Sequence, residues 1–131
     1  MPLIIDTHVF IWFISGSSEL NKSNRDLIED EKTQIFISIA SLWEISIKNS
    51  LGKLEIRGGY KAVLLEIEKN NISILPIEFN HTLFQNKLPF HHKDPFDRMI
   101  ASQAIIQNLD VISDDKIFDM YFNNTLIKQI F

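Results

Sequence analysis

The 131-residue chain contains no cysteine, so it can form neither a disulfide framework nor a thiolate metal site, and nothing in it requires an oxidising compartment. A long apolar run is also missing. The longest near the start, residues 9–14, is too short to span a bilayer and follows Asp6 and His8 instead of a basic leader. These two absences predict a cytoplasmic protein without a membrane segment. There is no internal repeat, linker or low-complexity tract, and residues 1–131 read as one domain. Positive charge is in short supply: 13 Lys and Arg against 17 Asp and Glu leave a net charge of -4. Any affinity for nucleic acid therefore has to come from a local basic patch or from a bound metal.

What is present is the composition of a chain that folds. Hydrophobic residues make up 45% and charged residues 23%, and a domain of this length buries roughly two thirds of its unfolded surface. Residues 3–5, Leu-Ile-Ile, are a short β-branched run ending at Asp6, which predicts a strand buried on both faces. Residues 8–15 are apolar nearly all round and predict a helix in the core or at a subunit contact. Its Phe10, Trp12 and Phe13 suit a contact between two copies better than a base-stacking surface. Ser23 is placed to cap a polar helix reaching about residue 31, and residues 35–38 read as a second strand.

Apolar residues at 39, 42, 43, 47 and 51 recur with a helical period that Gly52 ends, and Glu44 lies within that helix. A helix over 60–70, a strand over 72–75 and a short helix over 80–86 follow. Asp94-Pro95-Phe96-Asp97 opens the clearest helix. Asp is a good N-cap, Pro suits the first helical position, and an acid at the third favours the dipole. It should run to about residue 108, before a strand over 110–113, a turn of helix to 121 and an edge strand within 125–130. Short strands alternating with helices predict an α/β fold: a three-layer α/β/α sandwich on a mainly parallel sheet of four to five strands.

In an open parallel sheet ligands bind outside the carboxyl ends of the strands, and Asp6 and the Asp114-Asp115 pair fall immediately after predicted strands. Asp97 joins them if its helix packs beside the strand at 110–113. It shares a face with Ala101 and Ala104, and so faces the protein more than the solvent. Glu44 lies on a stripe with residues 40, 47 and 51 that is otherwise apolar or small, an odd place for a lone carboxylate. Two carboxylates about 4 Å apart repel by roughly 4 kcal/mol at an effective dielectric near 20, so gathering three or four of them calls for a cation. Oxygen-only ligands select hard ions, Mg²⁺ or Mn²⁺ over zinc. Such an ion polarises a phosphate and makes water a better nucleophile, the chemistry of hydrolytic phosphodiester cleavage, and turns an anionic pocket into one that attracts phosphate.

Each acid taken singly has a plainer reading. Asp94 and Asp97 suit helix capping, Asp114 or Asp115 could cap a short helix, and Glu44 could pair with Lys48 at i,i+4. Thr7 and Ser113 stand beside acids and are candidates to orient them by hydrogen bonds, or to serve as caps and turns. Among the basic residues, Arg98, next to Asp97, is the first candidate for a phosphate contact. The tandem His91-His92 point different ways from a polar loop. Two rival functions remain: a non-catalytic interaction domain whose acids only cap helices, and a phosphatase or phosphotransfer domain using Asp6 as nucleophile. The second lacks an aspartate two positions after Asp6, where His8 stands.

Four stretches together resemble the PIN-domain ribonucleases, specifically the VapC-type toxins of bacterial toxin–antitoxin pairs. They are Ile4-Ile5-Asp6-Thr7-His8-Val9-Phe10-Ile11-Trp12, Ser41-Leu42-Trp43-Glu44-Ile45-Ser46-Ile47-Lys48, His91-His92-Lys93-Asp94-Pro95-Phe96-Asp97-Arg98, and Ile112-Ser113-Asp114-Asp115-Lys116-Ile117-Phe118-Asp119-Met120-Tyr121. The resemblance implies an endoribonuclease dependent on Mg²⁺ or Mn²⁺, a homodimer, an RNA substrate and inhibition by a cognate antitoxin protein. Carried over by motif, the metal-holding and catalytic acids are Asp6, Glu44, Asp97 and Asp115, with Asp94 auxiliary. Asp115 is preferred to Asp114 because its spacing to Phe118 and Tyr121 matches the family register.

Overall fold

The computed structural model describes residues 2–90, 93–116, 118 and 121, together with the backbone of 129–130. Five parallel strands form one sheet in the order β3-β2-β1-β4-β5: β1 (Pro2–Ile5), β2 (Gln34–Ser38), β3 (Ser73–Leu75), β4 (Asp110–Ile112) and β5 (Gln129–Ile130). The central strand is the apolar run of residues 3–5. It pairs Ile5 with Ile37 of β2 on one side and with Ile112 of β4 on the other.

Successive side chains of a strand point to opposite faces, and the core divides accordingly. Leu3 and Ile5, with Ile35 and Ile37, meet Val9, Phe10 and Phe13 of α1 (Thr7–Ser15), Leu42 and Ile45 of α3 (Ile39–Ser50), and Val63 and Ile67 of α4 (Lys61–Lys69). α2 (Lys22–Glu29) adds Ile28 to the same layer. Ile4 and Val111 face the other way, onto Ile100, Ala101 and Ala104 of α6 (Pro95–Gln107), beside α5 (Phe79–Lys87). The result is the α/β/α sandwich the alternation predicts. No helix among the described residues is long and apolar enough to cross a membrane.

Two expectations are corrected. The polar helix α2 is capped by Asn21, whose side chain accepts the Asn24 N–H at 2.8 Å, so it starts before Ser23. Phe10 and Phe13 of α1 are buried inside this chain against the sheet face behind them and so offer nothing to a second copy, whereas Trp12 is only partly buried. The predicted edge strand is present at its last two residues, Gln129–Ile130, and residues 125–128 lie outside the described residues. So do His91, His92 and most of the turn leading to Tyr121, of which Phe118 and Tyr121 are described and buried in the second core layer.

The topology reverses beside β1. The chain builds outward through β2 and β3 on one side and then returns to place β4 and β5 on the other. At such a point the loops leaving adjacent strands diverge to opposite faces, which opens a crevice at the carboxyl edge of the sheet.

Candidate active site

Asp6 sits at that crevice because it is the residue at which β1 ends. Its backbone N–H still follows the sheet, donating to Ile112 O at 3.1 Å, while its side chain caps α1 by accepting the Val9 N–H at 2.8 Å. The other carboxylate oxygen, Oδ2, accepts a short hydrogen bond from the Ser113 hydroxyl. Ser113 Oγ in turn accepts the Asp115 N–H at 3.0 Å. One hydroxyl thus links the acid after the first strand to the acid pair after the fourth, across 107 residues of chain. The pairing of Ile5 with Ile112 makes this meeting unavoidable, since Asp6 and Ser113 are the next residues on two adjacent parallel strands.

Burial dominates the chemistry of Asp6. Only 2% of its surface is exposed, and this desolvation pushes its pKa from 3.8 up to about 6. The Ser113 and Val9 hydrogen bonds and the nearby His8 hold the rise back, while the negative charge of Asp114 adds to it. Asp114 is exposed and Asp115 half-buried, so both neighbours border the same carboxylate.

Glu44 and Asp97 come to this edge on two helices. α3 starts where β2 ends, with Ser38 Oγ accepting the Ala40 N–H at 3.0 Å, and Glu44 lies on its buried side. α6 precedes β4 in the chain and enters it from the opposite edge, which brings its first turn back to the crevice end. Asp94 caps that turn by accepting the N–H groups of Phe96 at 2.8 Å and Asp97 at 3.3 Å. The two helices pack together, with Trp43 edge-on to Phe96 at 5.6 Å between ring centroids; Glu44 and Asp97 are the residues that follow those rings in the chain. Ala101 and Ala104 are fully buried, and their small side chains let α6 lie close on the sheet.

The capping role weighed for Asp94 is therefore real, Asp6 also caps a helix, a role its place in the sequence did not suggest, and the i,i+4 pair forms: Lys48 Nζ lies 2.9 Å from Glu44 Oε2. Among the described residues no three carboxylate or imidazole side chains stand together as a ready cation cage. The donor chemistry nevertheless fits a hard divalent ion. All the donors are oxygens, and burial raises the Asp6 pKa by disfavouring its ionised form, which a bound cation would offset. Lys48, itself partly exposed, gives the Glu44 carboxylate one counter-charge.

Arg98 is a correction. Expected to meet phosphate, it is 2% exposed and spends its guanidinium inside the protein. Nη1 donates to Pro89 O at 2.9 Å, Nη2 donates to Gln85 O and Leu88 O, each at 3.0 Å, and Phe90 covers the group at 4.0 Å from its ring centre. The last carbonyls of a helix lack intrahelical donors and form the negative end of its dipole, so a planar cation at the end of α5 satisfies both. Arg98→Ala is expected to cost about 3 kcal/mol, because three carbonyls, that of Leu88 in a fully buried contact, lose a charged donor. Arg98→Lys should recover only part of that. Urea unfolding of the two variants checks this, and a loss under about 1 kcal/mol for alanine would count against a clamping role.

Sequence reasoning missed Ser41, which receives the Thr7 hydroxyl at 2.9 Å in a buried contact between α3 and α1. The signal available was its spacing, one turn before Glu44 on the same side of the helix.

The fold is an open parallel α/β/α sandwich with Asp6 at its switch point. The model of the PIN domain matches residues 3–121, and the chain belongs to the PIN domain family. Solved structures share the fold. VapBC2 from Rickettsia felis, bound to a DNA fragment from its promoter, superposes with a TM-score of 0.72 at 20% identity, over 98% of this chain and 98% of that one. VapBC-1 from nontypeable Haemophilus influenzae gives 0.71 at 16% identity, over 99% and 97%. VapBC-5 from Mycobacterium tuberculosis, of the VapBC family of toxin–antitoxin systems, gives 0.67 at 19%, over 98% and 97%. A comparison with curated protein sequences finds no match.

Proposed function

We propose that this chain is a metal-dependent endoribonuclease and the toxin of a toxin–antitoxin pair, acting in the cytoplasm as a homodimer that a cognate antitoxin protein restrains. The observation that carries the catalytic reading is the buried Asp6 carboxylate, tied through Ser113 to Asp115 at the mouth of the sheet that the helices of Glu44 and Asp97 border. The likeness in fold to structures described as VapBC supports the toxin half of the reading.

Asp6, Asp97 and Asp115 would hold Mg²⁺ or Mn²⁺ directly or through water, with Glu44 completing the set or orienting the attacking water. A divalent ion bound there supplies Lewis-acid polarisation of the phosphate and a more acidic water. The water oxygen forms a bond to phosphorus as the bond to the leaving ribose oxygen breaks, so no covalent link to the chain arises. Ser113 keeps Asp6 turned toward the mouth, and Asp94 keeps the first turn of α6, and with it Asp97, in place.

Incubating the purified chain with total RNA tests this. Cleavage in Mg²⁺ or Mn²⁺ and its arrest by a chelator are expected. RNA that stays intact in both ions would end the nuclease reading, and would favour an interaction domain, for which the observed capping by Asp6 and Asp94 is the argument. Glu44→Gln is expected to lower the rate by about a hundredfold or more, as loss of one charged group acting on the transition state does. A rate within a few fold of wild type would remove Glu44 from the site.

A further inference from the structure

One buried polar contact joins the segment that carries Asp6 to the helix that carries Glu44. Thr7 is the first residue of α1 and Ser41 the third of α3, and their hydroxyls lie 2.9 Å apart with both residues buried. Asp6 immediately precedes Thr7, and Glu44 follows Ser41 by one helical turn, also buried. β1 and β2 are neighbouring parallel strands with Ile5 opposite Ile37, so α1 and α3 leave the same sheet edge side by side and the hydroxyl pair bridges their first turns.

Stability alone gives this pair little purpose. Two hydroxyls carry two hydrogens, and among the described residues this bond is the one that either hydroxyl makes, so it engages one of them. A neutral buried hydrogen bond contributes modestly, and replacing both partners by apolar side chains of the same shape should be nearly neutral for folding. A hydrogen bond has something that apolar contact lacks, a preferred length and direction. Mg²⁺ and Mn²⁺ sites are intolerant of misplaced oxygens, Mg²⁺ demanding near-ideal octahedral geometry.

We propose that the Thr7–Ser41 hydroxyl pair is a positioning element that sets the spacing between Asp6 and Glu44, so that both carboxylates reach one divalent cation. The proposal rests on the metal-site reading above. It assigns Ser41 a part in ion affinity although it is not itself a ligand.

The test is calorimetric titration of Mn²⁺ into the full chain as wild type, as Thr7→Val with Ser41→Ala, and as Thr7→Ser, with urea unfolding of each in the absence of metal. The double variant is expected to keep wild-type stability and to bind Mn²⁺ about tenfold to a hundredfold more weakly, as when hydrogen-bond partners of ligands are removed. Thr7→Ser, which keeps the hydroxyl, should bind like wild type. Equal affinity in wild type and double variant overturns the positioning role and leaves the metal site standing. A double variant that loses stability or fails to fold makes the pair a packing feature and also overturns it. A wild type that binds no Mn²⁺ ends both this proposal and the metal reading beneath it.

Discussion

Replacing Asp6 by asparagine is expected to lower metal-dependent RNA cleavage by at least about a thousandfold, because a bound cation supplies several kcal/mol of charge stabilisation and each 1.36 kcal/mol is tenfold in rate. The substitution keeps the shape of the side chain and an oxygen that can accept either the Val9 N–H or the Ser113 hydroxyl, and asparagine caps helices as well as aspartate does. The fold should therefore survive. What the variant loses is the charge at the switch point of the sheet. Single-turnover cleavage of RNA, with circular dichroism on the same preparation, separates these effects. A folded Asp6→Asn protein that still cleaves within tenfold of wild type would show that the ion, if one acts, is held elsewhere.

The same carboxylate makes a second large prediction, this time for stability in the absence of metal. The Asp6 pKa in the fold, about 6, lies above its ordinary value of 3.8 because burial disfavours the ionised form. A raised carboxyl pKa means that the folded state holds the proton more tightly than the unfolded state does. Its contribution is fully present below the unfolded pKa and is lost as pH rises through the folded one. Between about pH 4 and pH 7 this single group removes about 3 kcal/mol, since a tenfold difference in proton affinity between the two states is worth about 1.36 kcal/mol.

Metal-free Asp6→Asn is therefore expected to be more stable than wild type at pH 7, by up to that amount, and the two should converge toward pH 4. The difference between their urea unfolding curves isolates Asp6 from every other acid in the chain. With Mn²⁺ at pH 7 the order should reverse, because wild type gains stability by mass action and the asparagine variant does not. If Asp6→Asn were less stable than wild type without metal at pH 7, the carboxylate would be well compensated inside the protein and its claim to a cation would fall.

The architecture was legible because strand and helix leave different periodicities in a sequence. Residues 3–5 read as a strand buried on both faces and 35–38 as a second strand, and Asp94-Pro95-Phe96-Asp97 carries a helix start in its chemistry; the observed capping by Asp94 follows from it. The start of α2 was misplaced at Ser23 because Asn21 and Ser23 are both good caps and only the neighbouring structure chooses between them. The aromatic helix was ambiguous for a related reason. Apolar residues all round its axis say that it is covered, and not by what; Phe10 and Phe13 turn out to be covered by the sheet.

Local pattern by itself determined the elements, their alternation, and the placing of Asp6 and the Asp114-Asp115 pair at strand ends, since these depend on residues a few positions apart. Tertiary structure alone decided that β4 lies beside β1, that Ser113 reaches Asp6 and Thr7 reaches Ser41, and that Arg98 turns inward to the end of α5 instead of outward to a phosphate. Those contacts join residues from 10 to 107 positions apart. No periodicity spans such distances. They are settled by which strands share an edge and by which buried polar atoms must find partners once water has gone.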